Sequence, residues 1–258
     1  MQYYMIDAFA DEVFKGNPAG VCILDEPLAE EKMQKIAFEN NLSETAFVYP
    51  EGTRYNLRWF TPTFEIDLCG HATLATAYVL SHYIDSKSSV FEFDTASGLL
   101  TVTKCDDLYE MSLPLKMPQV MPTTKELNEL LGVEAVALYS ERDLYVELKS
   151  EEEVKSYVPD YAALQTITKW LGVVLTAPGT DCDFVSRYLC PELNMEDPVT
   201  GSSHSSLVPL WSKKLGKTEL VAKQLSKRGG ILYCNLEGDR VIVAGKAVLY
   251  LKGEIEVS

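Results

Sequence analysis

The chain is short of positive charge, of histidine and of long apolar runs, and each shortage narrows what it does. Its 23 Lys and Arg are outnumbered by 38 Asp and Glu, for a formal net charge of −15. Phosphate backbones are held by clustered cations, so this balance argues against nucleic acid as a partner and against an anionic membrane surface. No run of about 18 apolar residues occurs, and no transmembrane helix is expected. The opening stretch, MQYYMIDAFADEVF, has acidic residues and no basic segment ahead of an apolar one. It is read as a first strand rather than a secretory signal. The six cysteines, Cys22, Cys69, Cys105, Cys182, Cys190 and Cys234, show no C-x-x-C and no Cys/His spacing of metal type. Reduced thiols, a cytoplasmic protein and no metal site are the expectation.

What is present is an ordinary globular balance, 47% hydrophobic and 24% charged over 258 residues. One stretch organises it, DLCGHATLATAYVL from Asp67 to Leu80. Cys69, Gly70 and His71 form a turn, and good helix formers follow. The first turn of a helix has N–H groups without intrahelical partners and carries the positive end of the dipole. A carboxylate or phosphate suits that place, and Gly70, lacking a Cβ, lets it approach the backbone.

A second copy lies downstream. EDPVTGSSHSSLVPL, Glu196 to Leu210, is again a glycine turn ahead of an apolar segment. Arg58-Trp59-Phe60-Thr61-Pro62 precedes the first turn and Arg187-Tyr188-Leu189-Cys190-Pro191 the second. The arginines are 187 − 58 = 129 apart and the glycines Gly70 and Gly201 are 201 − 70 = 131 apart. Matches in order at a near-constant offset indicate an internal duplication, with the two helix starts expected to face a shared cleft.

Alternation and periodicity predict strands at Tyr3–Phe9, Ala19–Leu24, Ser43–Tyr49, Tyr55–Phe60, Val90–Thr95, Leu99–Cys105 and Tyr109–Leu115. Lys15-Gly16-Asn17-Pro18 reads as a hairpin connection, a loop bordering a ligand being the alternative. A helix spans Pro27–Asn40. In the second half, Lys125–Leu131 and Pro159–Trp170 read as helices, and Val173–Thr176 matches the Glu44 strand without an acidic residue. Ser206–Leu215 continues as helix despite Pro209. Arg240–Ala244 and Ala247–Leu251 read as a hairpin about Gly245-Lys246. Residues 117–124, with two prolines and little periodicity, are the expected crossing between an N-terminal lobe at 1–116 and a C-terminal lobe at 125–258. The last strand is free to pair back with the first lobe. The fold class is α+β: two pseudo-symmetric lobes, each a mostly antiparallel or mixed sheet rolled around a central helix.

Glu44 shares a strand face with Ala46 and Val48. A solvated carboxylate at a strand mouth is the plainer reading, and a desolvated, pKa-raised acid/base is the other. His71, Asp197, Ser202 and His204 stand at or beside the helix starts. Each has a structural explanation: His71 as a buried hydrogen-bonding group, Asp197 as a turn residue, Ser202 as a cap, His204 as a surface residue. Taken together they suggest a polar pocket with a proton shuttle.

NLSETAF around Glu44, DLCGHATLA at 67–75, EDPVTGSSH at 196–204 and GNPAGV at 16–21 together resemble the PhzF-like family. These are phenazine-biosynthesis-type isomerases, relatives of diaminopimelate epimerase, and the resemblance covers nearly the whole chain. It implies two sheet-wrapped lobes with the site between them, Glu44 as general acid/base, and His71 and Asp197 assisting. It also implies that Ser202 holds substrate and that the backbone at Gly70 and Gly201 receives a carboxylate. The implied activity is a cofactor-independent isomerase that moves a carbon-bound proton in a small carboxylate-bearing molecule. A homodimer is in keeping with the family. Two other classes stay open. One is an amino-acid racemase or epimerase using Cys69; the epimerase relatives place a cysteine before each glycine turn, whereas here the second position is Thr200. The other is a non-catalytic binding protein on the same fold.

Overall fold

The computed structural model describes residues 1–257. Two compact units emerge, one of Met1–Ser112 with the chain from Ala244 on, the other of Leu113–Val243.

In the first unit β1 (Gln2–Ala8) and β2 (Asn17–Ile23) pair as a hairpin from Gln2↔Ile23 to Ala8↔Asn17. Gly16 just before β2 has φ 64°, and a Cβ there would sit 2.1 Å from the Ala8 carbonyl oxygen. Only glycine fits that approach. Helix α1 (Glu30–Asn40) leads to β3 (Glu44–Glu51), which lies parallel to β2 and antiparallel to β4 (Arg54–Phe60). The short β5 (Glu65–Ile66) also joins β4, and α2 (Gly70–Val79) follows. β6 (Val90–Thr95) runs parallel to β4, and β7 (Gly98–Cys105) and β8 (Leu108–Pro114) complete the ladder.

Helix α2 is apolar on every side, and eight of its ten residues are buried. Such a helix needs cover all round, and β1, β2 and β3 pack against it. Phe47 of β3 belongs with Cys22, Met33, Ala37 and Phe60 in the cluster under α1. Alternation then turns Glu44, Ala46 and Val48 to the opposite face, toward α2. Beyond Val79 the helix widens into a π-helical turn, Leu80–Ile84.

The second unit holds β9 (Gln119–Met121), α3 (Lys125–Leu131), β10 (Ala137–Ser140), β11 (Leu144–Glu147), α4 (Glu151–Ser156) and α5 (Tyr161–Leu164). After them come β12 (Val173–Pro178), β13 (Phe184–Cys190), β14 (Met195–Asp197), α6 (His204–Leu215), β15 (Glu219–Gln224), β16 (Gly230–Glu237) and β17 (Arg240–Gly245). Pairing senses repeat the first unit. β11–β12 is parallel, β12–β13 and β13–β14 antiparallel, β13–β15 parallel and β15–β16 antiparallel. The final strand, β18 (Ala247–Glu254), lies antiparallel along β1, as β9 lies along β10. Each unit is a mixed sheet around its own central helix, α2 or α6, and the duplication read from sequence is a duplication of topology. No helix among the described residues is long and apolar enough to cross a membrane.

Pro209 sits inside α6. It cannot donate to the Ser205 carbonyl four residues back, and the Lys116 N–H donates to that oxygen instead, at 3.0 Å. The helix therefore runs on unbroken.

Several local expectations are corrected. Residues 117–124 were expected to carry the crossing; they lie in the second unit, and Gln119–Met121 forms β9. Pro159–Trp170 is not one helix. Asp160 caps Ala163 N at 3.1 Å, but α5 is a single turn. The β-branched Thr166, Ile167 and Thr168 disfavour its continuation, and Trp170 Nε1 is held by Ser140 Oγ at 2.8 Å. Arg240–Ala244 and Ala247–Leu251 are not a hairpin. Lys246 alone separates β17 from β18, too little for a two-residue turn, and β18 takes β1 as partner.

Candidate active site

Glu44 opens β3, with Ala19 as its register neighbour on β2. Cys69 is the N-cap of α2 and makes no side-chain capping bond. His71, in the first turn, is buried, and its Nε2 lies 3.1 Å from Glu44 Oε2, with Glu44 17% exposed at its side chain. Neither atom has a directional hydrogen bond among the described residues. The contact is one of charge, and both atoms keep directional capacity for a further partner. Asn17 Nδ2 lies 3.2 Å from His71 Nδ1. An Asn17 amide donating there leaves the ring proton on Nε2, facing Glu44; rotating the amide presents Oδ1 to a doubly protonated ring.

Burial works to lower the His71 pKa, but Cys69 and Glu44 outweigh it and hold the imidazole well above its ordinary 6.5. Glu44 is the dominant partner, because the Cys69 thiol is itself pushed up, by burial first and then by the Glu44 charge. A neutral thiol contributes little Coulomb attraction. Glu44, Cys69 and His71 place their donor atoms within 4.8 Å of one another. Within the group, Oε2 lies 3.1 Å from Nε2 and Nδ1 lies 3.6 Å from Sγ.

In the second unit Asp197 ends β14 and accepts a short hydrogen bond from Thr200 Oγ1. Gln224, fully buried, ties the turn down. Its Nε2 donates to the Asp197 carbonyl at 2.8 Å and to Thr200 Oγ1 at 3.1 Å, and its Oε1 accepts from Thr200 N at 2.9 Å. Gly201 begins a tight turn in which its carbonyl accepts from His204 N at 3.1 Å. Ser202 is not the cap of α6, since Ser203 holds that position. Ser202 Oγ instead accepts from Arg142 Nη2 at 3.1 Å. His204, expected at the surface, is fully buried. Its Nδ1 donates to the Thr200 carbonyl at 2.8 Å, and desolvation drops its pKa to about 4. It is a neutral structural group and no part of a proton shuttle.

The repeat makes these starts comparable. Cys69-Gly70-His71 corresponds to Thr200-Gly201-Ser202 at an offset of 131. Register against the matched arginines, Phe47↔Arg58 and Leu175↔Arg187, aligns Thr45 with Val173 and Glu44 with Gly172. Asn17, at the start of β2, and Arg142, just before β11, each reach the side chain that follows a turn glycine, Asn17 to His71 and Arg142 to Ser202. The first half sets an amide on an imidazole, and the second a guanidinium on a hydroxyl. Gly172 stands where the first half has Glu44, so the acid/base pair exists once. Each unit thus gathers its own part of the expected set, Glu44 with Gly70 and His71 in one, Asp197 with Gly201 and Ser202 in the other. Asn17, Arg142 and Gln224 were missed. Only GNPAGV hinted at Asn17, and nothing local marked the other two.

The comparisons agree with this architecture. The family model described as phenazine biosynthesis-like protein matches residues 6–253. A protein named as an uncharacterised isomerase of Pseudomonas aeruginosa is 47% identical, covering 100% of this chain and 99% of that one. The crystal structure of a PhzF-family phenazine biosynthesis protein of Enterococcus faecalis superposes with a TM-score of 0.97 at 49% identity, over 99% of both chains. A hydroxyproline epimerase of Agrobacterium vitis shares the fold alone, with a TM-score of 0.66 at 12% identity over 98% of this chain and 91% of that one. With its duplicated sheet-and-helix halves and a match along nearly its whole length, the chain belongs to the phenazine biosynthesis-like, or PhzC/PhzF, family of isomerase-type proteins.

Proposed function

We propose that this protein is a cofactor-independent isomerase that moves a carbon-bound proton in a small carboxylate-bearing substrate, with Glu44 as general acid/base. The observation that carries the proposal is the buried contact between Glu44 Oε2 and His71 Nε2 at 3.1 Å. A carboxylate held beside a protonated imidazole can accept a proton from carbon and, with 17% of its side chain exposed, exchange it with solvent before return. His71, charged over a wide pH range, offsets the negative charge that develops as the proton leaves. Glu44 then returns the proton to a second carbon. One C–H bond is broken and one is formed, with no net redox change, and exchange at the Glu44 carboxyl between the two steps lets solvent deuterium enter.

With one acid/base group, removal and return take place from one side of the substrate. That favours a shift between carbons over inversion at one carbon, which calls for a donor on the opposite face. Gly70 and, in the second unit, Gly201 and Ser202 are the proposed substrate-binding groups, and Asp197 assists proton movement. A thiol-based racemase is disfavoured. Cys69 is buried with its pKa raised, and the equivalent position is Thr200, which cannot supply a second thiol.

The test is solvent-deuterium wash-in from D₂O across a panel of small cyclic acids and amino acids. The proposal expects label at a carbon position in at least one carboxylate-bearing compound. Label in none, alongside measurable binding, would favour a binding protein on the same fold.

A further inference from the structure

We infer that Arg142 is the anchor for the substrate's carboxylate in the second unit, and that the buried Asp143 is the residue that positions it. The inference deepens the isomerase proposal and rests on that proposal's carboxylate-bearing substrate. Arg142 takes, relative to Ser202, the position that Asn17 takes relative to His71, each contacting the residue after a turn glycine. The first half spends that position on orienting a proton carrier, whereas the second places a fixed positive charge there.

The side chain is about one-third exposed, at 35%, and hydrogen-bonds through a single nitrogen. Nη2 donates to Asp143 Oδ2 at 3.2 Å and to Ser202 Oγ at 3.1 Å. Among the described residues no hydrogen bond leaves Nε or Nη1. A guanidinium offers five N–H donors in a planar fork that suits a carboxylate. Here one arm is fixed and the rest of the fork is unspent.

That fixed arm is well supported. Asp143 is 1% exposed, and its other contacts are the Tyr188 hydroxyl at 2.9 Å and the Tyr145 hydroxyl at 3.4 Å. Tyr188 reaches Asp143 only because residue 172 is glycine, since a Cβ there would lie 2.5 Å from the Tyr188 hydroxyl oxygen. The Arg142 carbonyl accepts from Leu171 N at 3.1 Å, and the Gly172 carbonyl accepts from Leu144 N at 2.9 Å. Backbone and side chain are thus both held. A side chain pinned this way loses little further freedom on meeting an anion.

The test compares carboxylates with their uncharged amides. Benzoate, anthranilate and cyclohexanecarboxylate are titrated by calorimetry, each beside the matching amide, into the full-length Glu44→Gln protein so that turnover plays no part. At least one acid should bind tenfold or more tightly than its amide. Arg142→Met should abolish that preference and Arg142→Lys retain only part of it. A full acid-over-amide preference in a folded Arg142→Met protein overturns the inference, as does the absence of any preference before the change. Should Arg142→Met fail to fold, Arg142→Gln in the same titration decides. Deuterium wash-in by the wild type is scored separately. Wash-in with Arg142-independent binding sinks this inference alone, while Arg142-dependent binding without wash-in sinks the isomerase proposal alone.

Discussion

Arg187 grips Glu196 at two points, Nε to Oε1 at 2.8 Å and Nη2 to Oε2 at 2.9 Å, and its remaining nitrogen, Nη1, donates to the carbonyls of Val154 and Tyr157. Arg58 grips Glu65 in the same way in the first unit, at 2.6 and 2.7 Å. The repeat thus conserves a clasp between the strand before each glycine turn and the short strand leading into it. The clasps differ in burial: Arg187 has 9% of its side chain exposed, against 31% for Arg58.

Burial sets the first prediction. Removing Arg187 leaves the Glu196 carboxylate and two buried carbonyls without a partner, and breaking a buried pair costs about 3–5 kcal/mol. Arg187→Met should therefore lower stability far more than Arg58→Met, whose pair is only partly buried and is worth about 1 kcal/mol. Urea unfolding of the two variants measures the difference.

The two buried histidines should give opposite pH dependences. His204 is depressed to about 4, so between pH 6.5 and 4 the unfolded chain binds a proton that the folded chain refuses. Stability then falls as pH falls through that window, by about 3 kcal/mol in all. His204→Asn, which can keep a donor for the Thr200 carbonyl, should flatten that slope. His71 is raised, so its stabilisation is complete below about pH 6.5 and is lost as pH climbs through its folded pKa. His71→Asn should remove that alkaline loss. Unfolding curves across pH 4–9 report both.

Asn17 should act by positioning. Asn17→Ala leaves His71 Nδ1 without its amide partner at 3.2 Å. Wash-in should fall, by up to about 100-fold where a shift of about 1 Å results, and its pH profile should move. A change confined to thermal stability, with rate and profile intact, would give Asn17 a purely structural role.

Cys69 should be dispensable to proton transfer. Cys69→Ala should keep wash-in within about tenfold of the wild type, against the 10²–10⁴-fold loss on deleting an essential acid or base. A loss in the larger range would restore the thiol mechanism.

Much of this was legible in the sequence, for reasons that can be named. Glycine turns ahead of apolar helices are local signals, so α2 and the start of α6 stood out, and the matching arginines exposed the duplication. Their glutamates went unread because the clasps Arg58–Glu65 and Arg187–Glu196 form only once two strands pair. Asn17 looked like hairpin punctuation. Its role depends on β2 lying beside α2, which no window of sequence contains. Arg142 sits in a polar loop, and its value comes from Ser202, 60 residues away. The six-residue α4 is too short for its periodicity to register. His204 looked exposed because a lone histidine among serines is polar by composition, yet α6 is buried from His204 to Ser212.

Glu44→Gln tests the central claim most directly. The substitution keeps the shape of the side chain and removes its capacity to take a proton. Wash-in of solvent deuterium should drop by at least about 10²-fold, while the affinity for the same carboxylate stays within a few-fold of the wild type. Wild-type wash-in by folded Glu44→Gln protein would contradict the account.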